Sequence, residues 1–247
     1  FEIELLDIEQ LNRGLFSHRF DIAKCSFAAA LQLTESYVVM PTGSALGFGV
    51  GPLLLASQAG SHPQYADQLT LCPGAHTTAT LLFQLFYPST TAIQHVVFSD
   101  IMPALKTNDA DFGVCIHEGR FTWQQEGLHL VEDLGERWES ETSCPLPLGG
   151  LVGSRRLPVE QLQAVNRVIG DSLRWSLTHP QDTYPTMRRY AQEFDDDVLM
   201  KHVELYVNDW TIDLGTTGAD ALHRLERKAA TSGVLESSET TLEILPS

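Results

Sequence analysis

The sequence predicts an α/β protein made of two lobes. Three observations carry that reading. Strand-like apolar runs alternate with helix-like stretches through the first 145 residues, and a strand–turn–helix unit occurs twice, around Ser26 and again around Thr77. Two Gly/Pro-rich stretches, Gly49–Ala56 and Pro145–Gly153, separate the blocks and read as two chain crossings between lobes. The chain has 247 residues, 43% of them apolar, which is enough to bury a core in one large or two modest domains.

Taken in order, Phe1, Ile3, Leu5 and Ile8 alternate with acidic residues and predict a strand, followed by turn composition from Gly14 to Phe20. Asp21–Cys25 is a short apolar run. Ser26 then precedes Phe27–Leu33, rich in Ala and Leu, which predicts strand, cap and helix. Tyr37–Met40 predicts a strand, and the glycine-rich turn 43–51 leads into the apolar Pro52–Ala56. The unit repeats as a strand at Gln68–Cys72, a turn at Pro73-Gly74, and a helix over Thr80–Tyr87 opened by His76-Thr77-Thr78-Ala79. Val96–Phe98, Phe112–Ile116 and Leu128–Asp133 predict further strands, and Asp100–Thr107 a helix. From Pro158 onward the spacing is helical: Val159, Leu162, Val165, Ile169, Leu173 and Leu177 form one face, with His179-Pro180 as its stop. Tyr184–Phe194, Val198–Val207 and Thr217–Ser232 predict further helices, and the Ser/Thr/Glu-rich tail after Leu235 predicts a loosely held end. Strands alternating with helices predict mainly parallel sheets. The expected division is 1–56 with 149–247 for lobe one, and 57–148 for lobe two.

Charge and composition exclude several classes. The 32 acidic against 16 basic side chains give a net charge of -16, unlike a protein that tracks phosphates or sits on anionic lipid. The longest apolar runs, such as Val50–Ala56, are much shorter than a membrane span. Cys25, Cys72, Cys115 and Cys144 form no CxxC pair and sit in apolar stretches, so they read as buried thiols in a reducing, cytoplasmic setting rather than a zinc site. The sequence opens at Phe1 in the middle of an alternating pattern, which predicts residues missing upstream.

Chemistry is sparse and localised. Gly47-x-Gly49-x-Gly51 is not a dinucleotide fingerprint, because Pro52 and an extended apolar run follow where a helix should start. The two helix starts are more informative. Lys24-Cys25-Ser26 and Thr77-Thr78-Ala79 place hydroxyls and free N–H groups after strands, where open α/β sheets bind anions. Each also has a plainer reading, in which Ser26 or Thr77 caps its own helix. Lys24 is one of four lysines and interrupts an apolar strand; a cation there is unfavourable unless an anion joins it. His117 follows Phe112–Ile116 directly and is the candidate for proton transfer, with a hydrogen-bonded surface histidine as the alternative. Glu118 and Arg120 either orient it or pair with each other. The 117–121 run HEGRF lacks the second histidine of a helical zinc motif, the 195–197 Asp triplet reads as a helix N-terminal charge run, and no GxSxG elbow or P-loop occurs.

Several blocks together identify a family likeness. LNRG at 11–14, KCSFAA at 24–29, GSALGFGVGPLLLA at 43–56, PGAHTTA at 73–79, IHEGRFTW at 116–123, DLGERWE at 133–139, PLPLGG at 145–150, YVND at 206–209 and DLG at 213–215 resemble the 1,4-dihydroxy-6-naphthoate synthase family. The likeness runs over essentially the whole chain. It implies a fold similar to type II periplasmic binding proteins, two α/β lobes around a cleft. It also implies a lyase of the futalosine route to menaquinone, converting cyclic dehypoxanthine futalosine to 1,4-dihydroxy-6-naphthoate and dihydroxyacetone without cofactor or metal. The family's proposed base falls on His117. Its substrate-contacting positions fall on Lys24, Cys25 and Ser26, and on Thr78 and Ala79 with Thr77 beside them; Asn12 matches a further polar cleft position. The partner so implied is a small anionic molecule.

The family's N-terminal strand and its Cys-Pro-Asn-Asp-Thr type loop have no counterpart here. A polypeptide truly starting at Phe1 is therefore expected to have an unstable first lobe. Two rival readings share the fold: the sister enzyme chorismate dehydratase, and a solute-binding protein for a small carboxylate that performs no chemistry.

Overall fold

A capping box opens the first regular element. The Asp7 carboxylate accepts from Glu9 N at 2.8 Å and Gln10 Oε1 accepts from Asp7 N at 3.2 Å, which starts helix α1 (Ile8–Phe16). The expected N-terminal strand is thereby corrected. Phe1, Ile3 and Leu5 remain 87%, 78% and 66% exposed, whereas Leu15 on the helix is fully buried. The structure, a computed structural model, describes residues 1–117, 119–190, 196–235 and 241–246.

The chain continues through β1 (Ile22–Ser26), α2 (Phe27–Ala30), β2 (Tyr37–Val39), β3 (Ala45–Gly47) and β4 (Leu53–Ala56). Next come β5 (Leu69–Cys72), α3 (Thr78–Phe86), β6 (Ala92–His95), α4 (Phe98–Lys106), β7 (Phe112–Cys115), α5 (Gly119–Thr122), β8 (His129–Asp133) and α6 (Leu134–Thr142). The chain then returns along β9 (Leu146–Ser154) and ends in helices α7 (Val159–Thr178), α8 (Pro180–Tyr190), α9 (Asp196–Tyr206), α10 (Asp209–Ile212) and α11 (Gly215–Ser232). The strand expected at 96–98 is corrected to β6. Leu69 pairs with Ala92 and Cys72 with His95, which uses up the strand before Val97 caps α4.

Two sheets result. In the first, β9 lies between β1 and β2 and also pairs with β3, every pairing antiparallel. The second has the order β6-β5-β7-β4-β8, with β5 parallel to β6 and β7, and β4 antiparallel to β7 and β8. The expectation of mainly parallel sheets is thus corrected: β9 returns from the second lobe against the strands it joins, and β4 enters the second sheet against β7. Pairing also moves the lobe boundaries. β4 belongs with the second sheet rather than with residues 1–56, and β9 begins the return to the first sheet at Leu146 rather than at 149.

One continuous apolar core joins the lobes, running from Cys25 and Phe27 through Leu54, Phe112 and Trp138 to Leu222. A second cluster, with Leu55, Leu71, Ile101 and Leu105, fills the space under α4. Truncating a fully buried leucine such as Leu54 to alanine costs about 2–5 kcal/mol. The C-terminal tail also differs from expectation where it is described. Ile244 bridges to Val39, and Leu242 and Leu245 are buried; residues 236–240 lie outside the described residues. The end of the helix expected at 184–194 and Asp195 of the triplet also lie outside them, while Asp196 and Asp197 occupy the first turn of α9.

Candidate active site

The sheet topology decides what meets at the cleft. β5 and β7 run parallel, so the turn after Cys72 and the residues after Cys115 emerge at the same edge. β4 runs the other way, with Leu53 paired to Cys115, so its entry through Gly51 and Pro52 lies at that edge too. In the first sheet Ser26 at the end of β1 faces Gly149. Between these ends lies a cavity of about 550 Å³, within the size range of small-molecule sites.

His117, Lys24, Cys25, Ser26, Thr77, Thr78 and Ala79 all line it, so seven of the eight residues singled out from sequence share one cavity. His117 has a positive φ of 56°, an uncommon conformation for a non-glycine residue, which turns the chain sharply at the end of β7. Its ring packs edge-on against Phe98 at 4.9 Å and lies 5.8 Å from the ring of His202. Burial pushes its pKa below the ordinary histidine value; the Asp7 carboxylate opposes this and Lys24 reinforces it. The neutral, basic form therefore dominates at neutral pH.

On the opposite wall, Lys24 Nζ donates to the Gly43 carbonyl at 3.1 Å, and burial lowers its pKa. The Cys25 thiol is fully buried and its pKa is pushed up to about 12, so it contributes surface rather than a thiolate. Ser26 makes no side-chain cap to α2. Its N–H instead donates to Asn12 Oδ1 at 3.0 Å, and its Oγ accepts from Asn12 Nδ2 at 3.2 Å, leaving the hydroxyl proton for the cavity. Asn12 is fully buried and does not line the cavity. It lies behind Ser26 and positions it, a correction to its expected place as a direct contact.

The second helix start uses its hydroxyls internally. Thr77 Oγ1 accepts from Thr80 N at 3.2 Å and donates to the Gly74 carbonyl at 3.1 Å. Thr78 Oγ1 accepts from Ala28 N at 3.2 Å and donates to the Leu148 carbonyl at 2.7 Å, tying α3 to the first sheet. What α3 offers a ligand is therefore the first-turn N–H groups of Thr78 and Ala79 and the positive end of its dipole. Glu9 holds this turn in place by accepting from His76 N at 3.2 Å.

A sequence profile of the family described as menaquinone biosynthesis matches residues 1–231. Two curated relatives carry the name 1,4-dihydroxy-6-naphthoate synthase. The protein from Thermus thermophilus is 36% identical, covering 96% of this chain and 86% of its own. The one from Streptomyces coelicolor is 34% identical, covering 95% and 84%. The chain belongs to the menaquinone biosynthesis family. A crystal structure of a protein from Archaeoglobus fulgidus superposes with a TM-score of 0.86 at 29% identity, covering 93% of this chain and 86% of that one. The ligand-binding component of an ABC-type import system from Staphylococcus aureus, solved with zinc bound, superposes at 0.67 and 13% identity, covering 93% and 79%. That likeness shows the fold alone: a two-lobed, binding-protein-like α/β architecture.

This family member closes its cavity with residues that sequence reasoning did not single out. One face of α9 supplies Leu199, His202 and Tyr206; Asp7, Ser44 and Phe98 also line the wall. The 3.6-residue spacing of Leu199, His202, Val203 and Tyr206 was visible in the sequence, but an amphipathic face does not announce whether it covers core or cleft. Arg120 finds partners that were not expected. Its guanidinium donates to the Gly51 carbonyl at 2.6 Å and to Asp133 Oδ2 at 2.7 Å, and Glu118 lies outside the described residues. Gly51 in turn lies against Gly135, where an added Cβ would come within 2.2 Å of backbone. Gly51 thus serves a close backbone contact, and a strand rather than a helix follows the glycine run. Among the described residues, no cluster of three metal-ligating side chains occurs and no helix is long and apolar enough to cross a membrane.

Proposed function

We propose that this protein is a 1,4-dihydroxy-6-naphthoate synthase, a carbon–carbon lyase that converts cyclic dehypoxanthine futalosine to 1,4-dihydroxy-6-naphthoate and dihydroxyacetone, with His117 as general base. The observation that carries the reading is the convergence of His117 with Lys24, Ser26 and the Thr78–Ala79 helix start on one cavity. Family membership supplies the reaction class, and this geometry supports the assignment of roles.

The chemistry asks little beyond positioning, deprotonation and charge stabilisation. Lys24 and Ser26 meet an anionic substrate on one wall. From the other, the neutral imidazole of His117 removes a proton from carbon, and the first-turn amides of α3 stabilise the negative charge that develops. Carbon–carbon cleavage follows, and formation of an aromatic ring drives it to completion. The apolar cover from Leu199 and Phe98 excludes water, which strengthens each of these contacts. No redox step is needed. The net negative charge and the free thiols, three of them buried and Cys144 partly so, suit a cytosolic enzyme acting on a small anion rather than on nucleic acid.

The deciding experiment is turnover of cyclic dehypoxanthine futalosine and of chorismate by the same preparation. Conversion of the first alone supports this assignment; dehydration of chorismate identifies the sister enzyme, and binding without turnover a solute-binding protein. His117→Ala is expected to retain ligand binding while turnover falls by about 10²–10⁴-fold. Near-normal turnover removes the base from His117.

A further inference from the structure

Ser44 stands in the turn between β2 and β3, lines the cavity and is fully buried. Among the described residues its Oγ is the buried side-chain polar atom that has no hydrogen-bond partner. The backbone of this turn is fixed. Thr42 Oγ1 donates to the Ile212 carbonyl at 3.1 Å, and Gly43 N donates to the Thr211 carbonyl at 2.8 Å, so the backbone on its N-terminal side is pinned to α10. Facing it is Gly150, where an added Cβ would sit 3.1 Å from the Ser44 hydroxyl. A buried hydroxyl without a partner is unfavourable, and its retention at a cavity wall points to a ligand acceptor.

The same turn holds a charge. Lys24 Nζ donates to the carbonyl of Gly43, the residue before Ser44, and no carboxylate among the described residues lies within ion-pair distance of it. A cation without a counter-charge and a hydroxyl without an acceptor therefore flank one peptide, and both residues line one cavity. The hydroxyls of Thr77 and Thr78 are committed, Thr77 to its helix cap and Thr78 to the bridge between lobes, while Ser26 accepts from Asn12.

We propose that the Gly43 turn is the carboxylate subsite of the cavity: Ser44 Oγ donates to the ligand carboxylate and Lys24 supplies its counter-charge. This rests on the functional reading above and makes it more specific. The carboxylate is assigned to the first lobe, which leaves the Thr78 and Ala79 amides for the charge that develops beside His117. Ser44 is thus a specificity-determining residue, separating acid from neutral analogues.

The test is calorimetric titration under nitrogen of 1,4-dihydroxy-6-naphthoate and of its carboxamide into wild type and Ser44→Ala. In wild type the acid should bind more tightly than the amide. Ser44→Ala should weaken the acid by about tenfold or more, as for a lost hydrogen bond to a charged group, with a much smaller change for the amide. The free variant should melt no lower than wild type, because truncation removes an unpartnered polar atom. Ser44→Cys, close in shape but a weak donor, should show the same selective loss. Equal weakening of acid and amide, or none for either, overturns the subsite; the latter outcome means that the hydroxyl serves ordered water only. Wild type that binds neither compound overturns the functional reading as well, so the two failures are distinguishable.

Discussion

Ser26 and Thr77 occupy comparable places, each standing immediately before a helix at the rim of the same cavity, yet the fold uses them in opposite ways. Thr77 turns its hydroxyl inward, capping α3 through Thr80 N and the Gly74 carbonyl. Ser26 leaves α2 uncapped and hands its hydroxyl to Asn12 and the cavity. The difference lies in helix length and in neighbours. α3 runs nine residues and gains a full turn of stability from its cap, whereas α2 spans four and is held by packing, with every residue buried. Asn12, reaching in from α1, supplies the partner that turns Ser26 outward. Identical local grammar thus yields a structural hydroxyl in one lobe and a hydroxyl open to ligand in the other.

This contrast can be broken most sharply at Ser26. Ser26→Ala should raise KM by about 10–100-fold, the loss of a hydrogen bond to a charged group, while the melting temperature changes little. A large fall in melting temperature with KM unmoved would make Ser26 the structural partner instead. Thr77→Ala should do the reverse. It loses about 0.5–2 kcal/mol of stability in denaturant titrations, as for other N-cap truncations, with KM moving far less than in the Ser26 variant.

The smallest effect is a displacement along the pH axis. Because burial lowers the His117 pKa, the acid limb of kcat/KM should lie below the ordinary histidine value of about 6.5. The unfolded chain protonates this ring first. The stability contribution of the neutral ring is therefore full above about pH 6.5 and declines as pH falls through that value towards the lower folded pKa. An acid limb above 6.5 in wild type, or an unchanged limb in His117→Ala, would separate the profile from this residue.

Much of the site was legible because its residues sit at strand ends. The run Phe112–Ile116 placed His117 at the edge of a buried strand, and Ser and Thr before Ala/Leu-rich segments marked both helix starts. The capping box Asp7-x-x-Gln10 was also present, but the alternation of Phe1, Ile3, Leu5 and Ile8 masked it, and a strand was expected to run into the start of α1. Arg120 shows what spacing along the chain does not carry. Its neighbours in sequence are Glu118 and His117, while its partners in space, Gly51 and Asp133, lie 69 and 13 residues away.

What the sequence determined by itself was local and periodic: the alternation of strand and helix, the caps, the turns, and the emergence of an imidazole after an apolar strand. Those follow from backbone sterics and from side-chain spacing along one segment. Only the tertiary structure decided which strands run antiparallel, which lobe claims β4, that α9 closes the cavity, and that Asn12 supports Ser26 from behind. Each of these depends on hydrogen bonds and apolar contacts between segments far apart in the chain. The orphaned hydroxyl of Ser44 belongs to the same class, because a missing partner is a property of the whole surroundings and not of the residue.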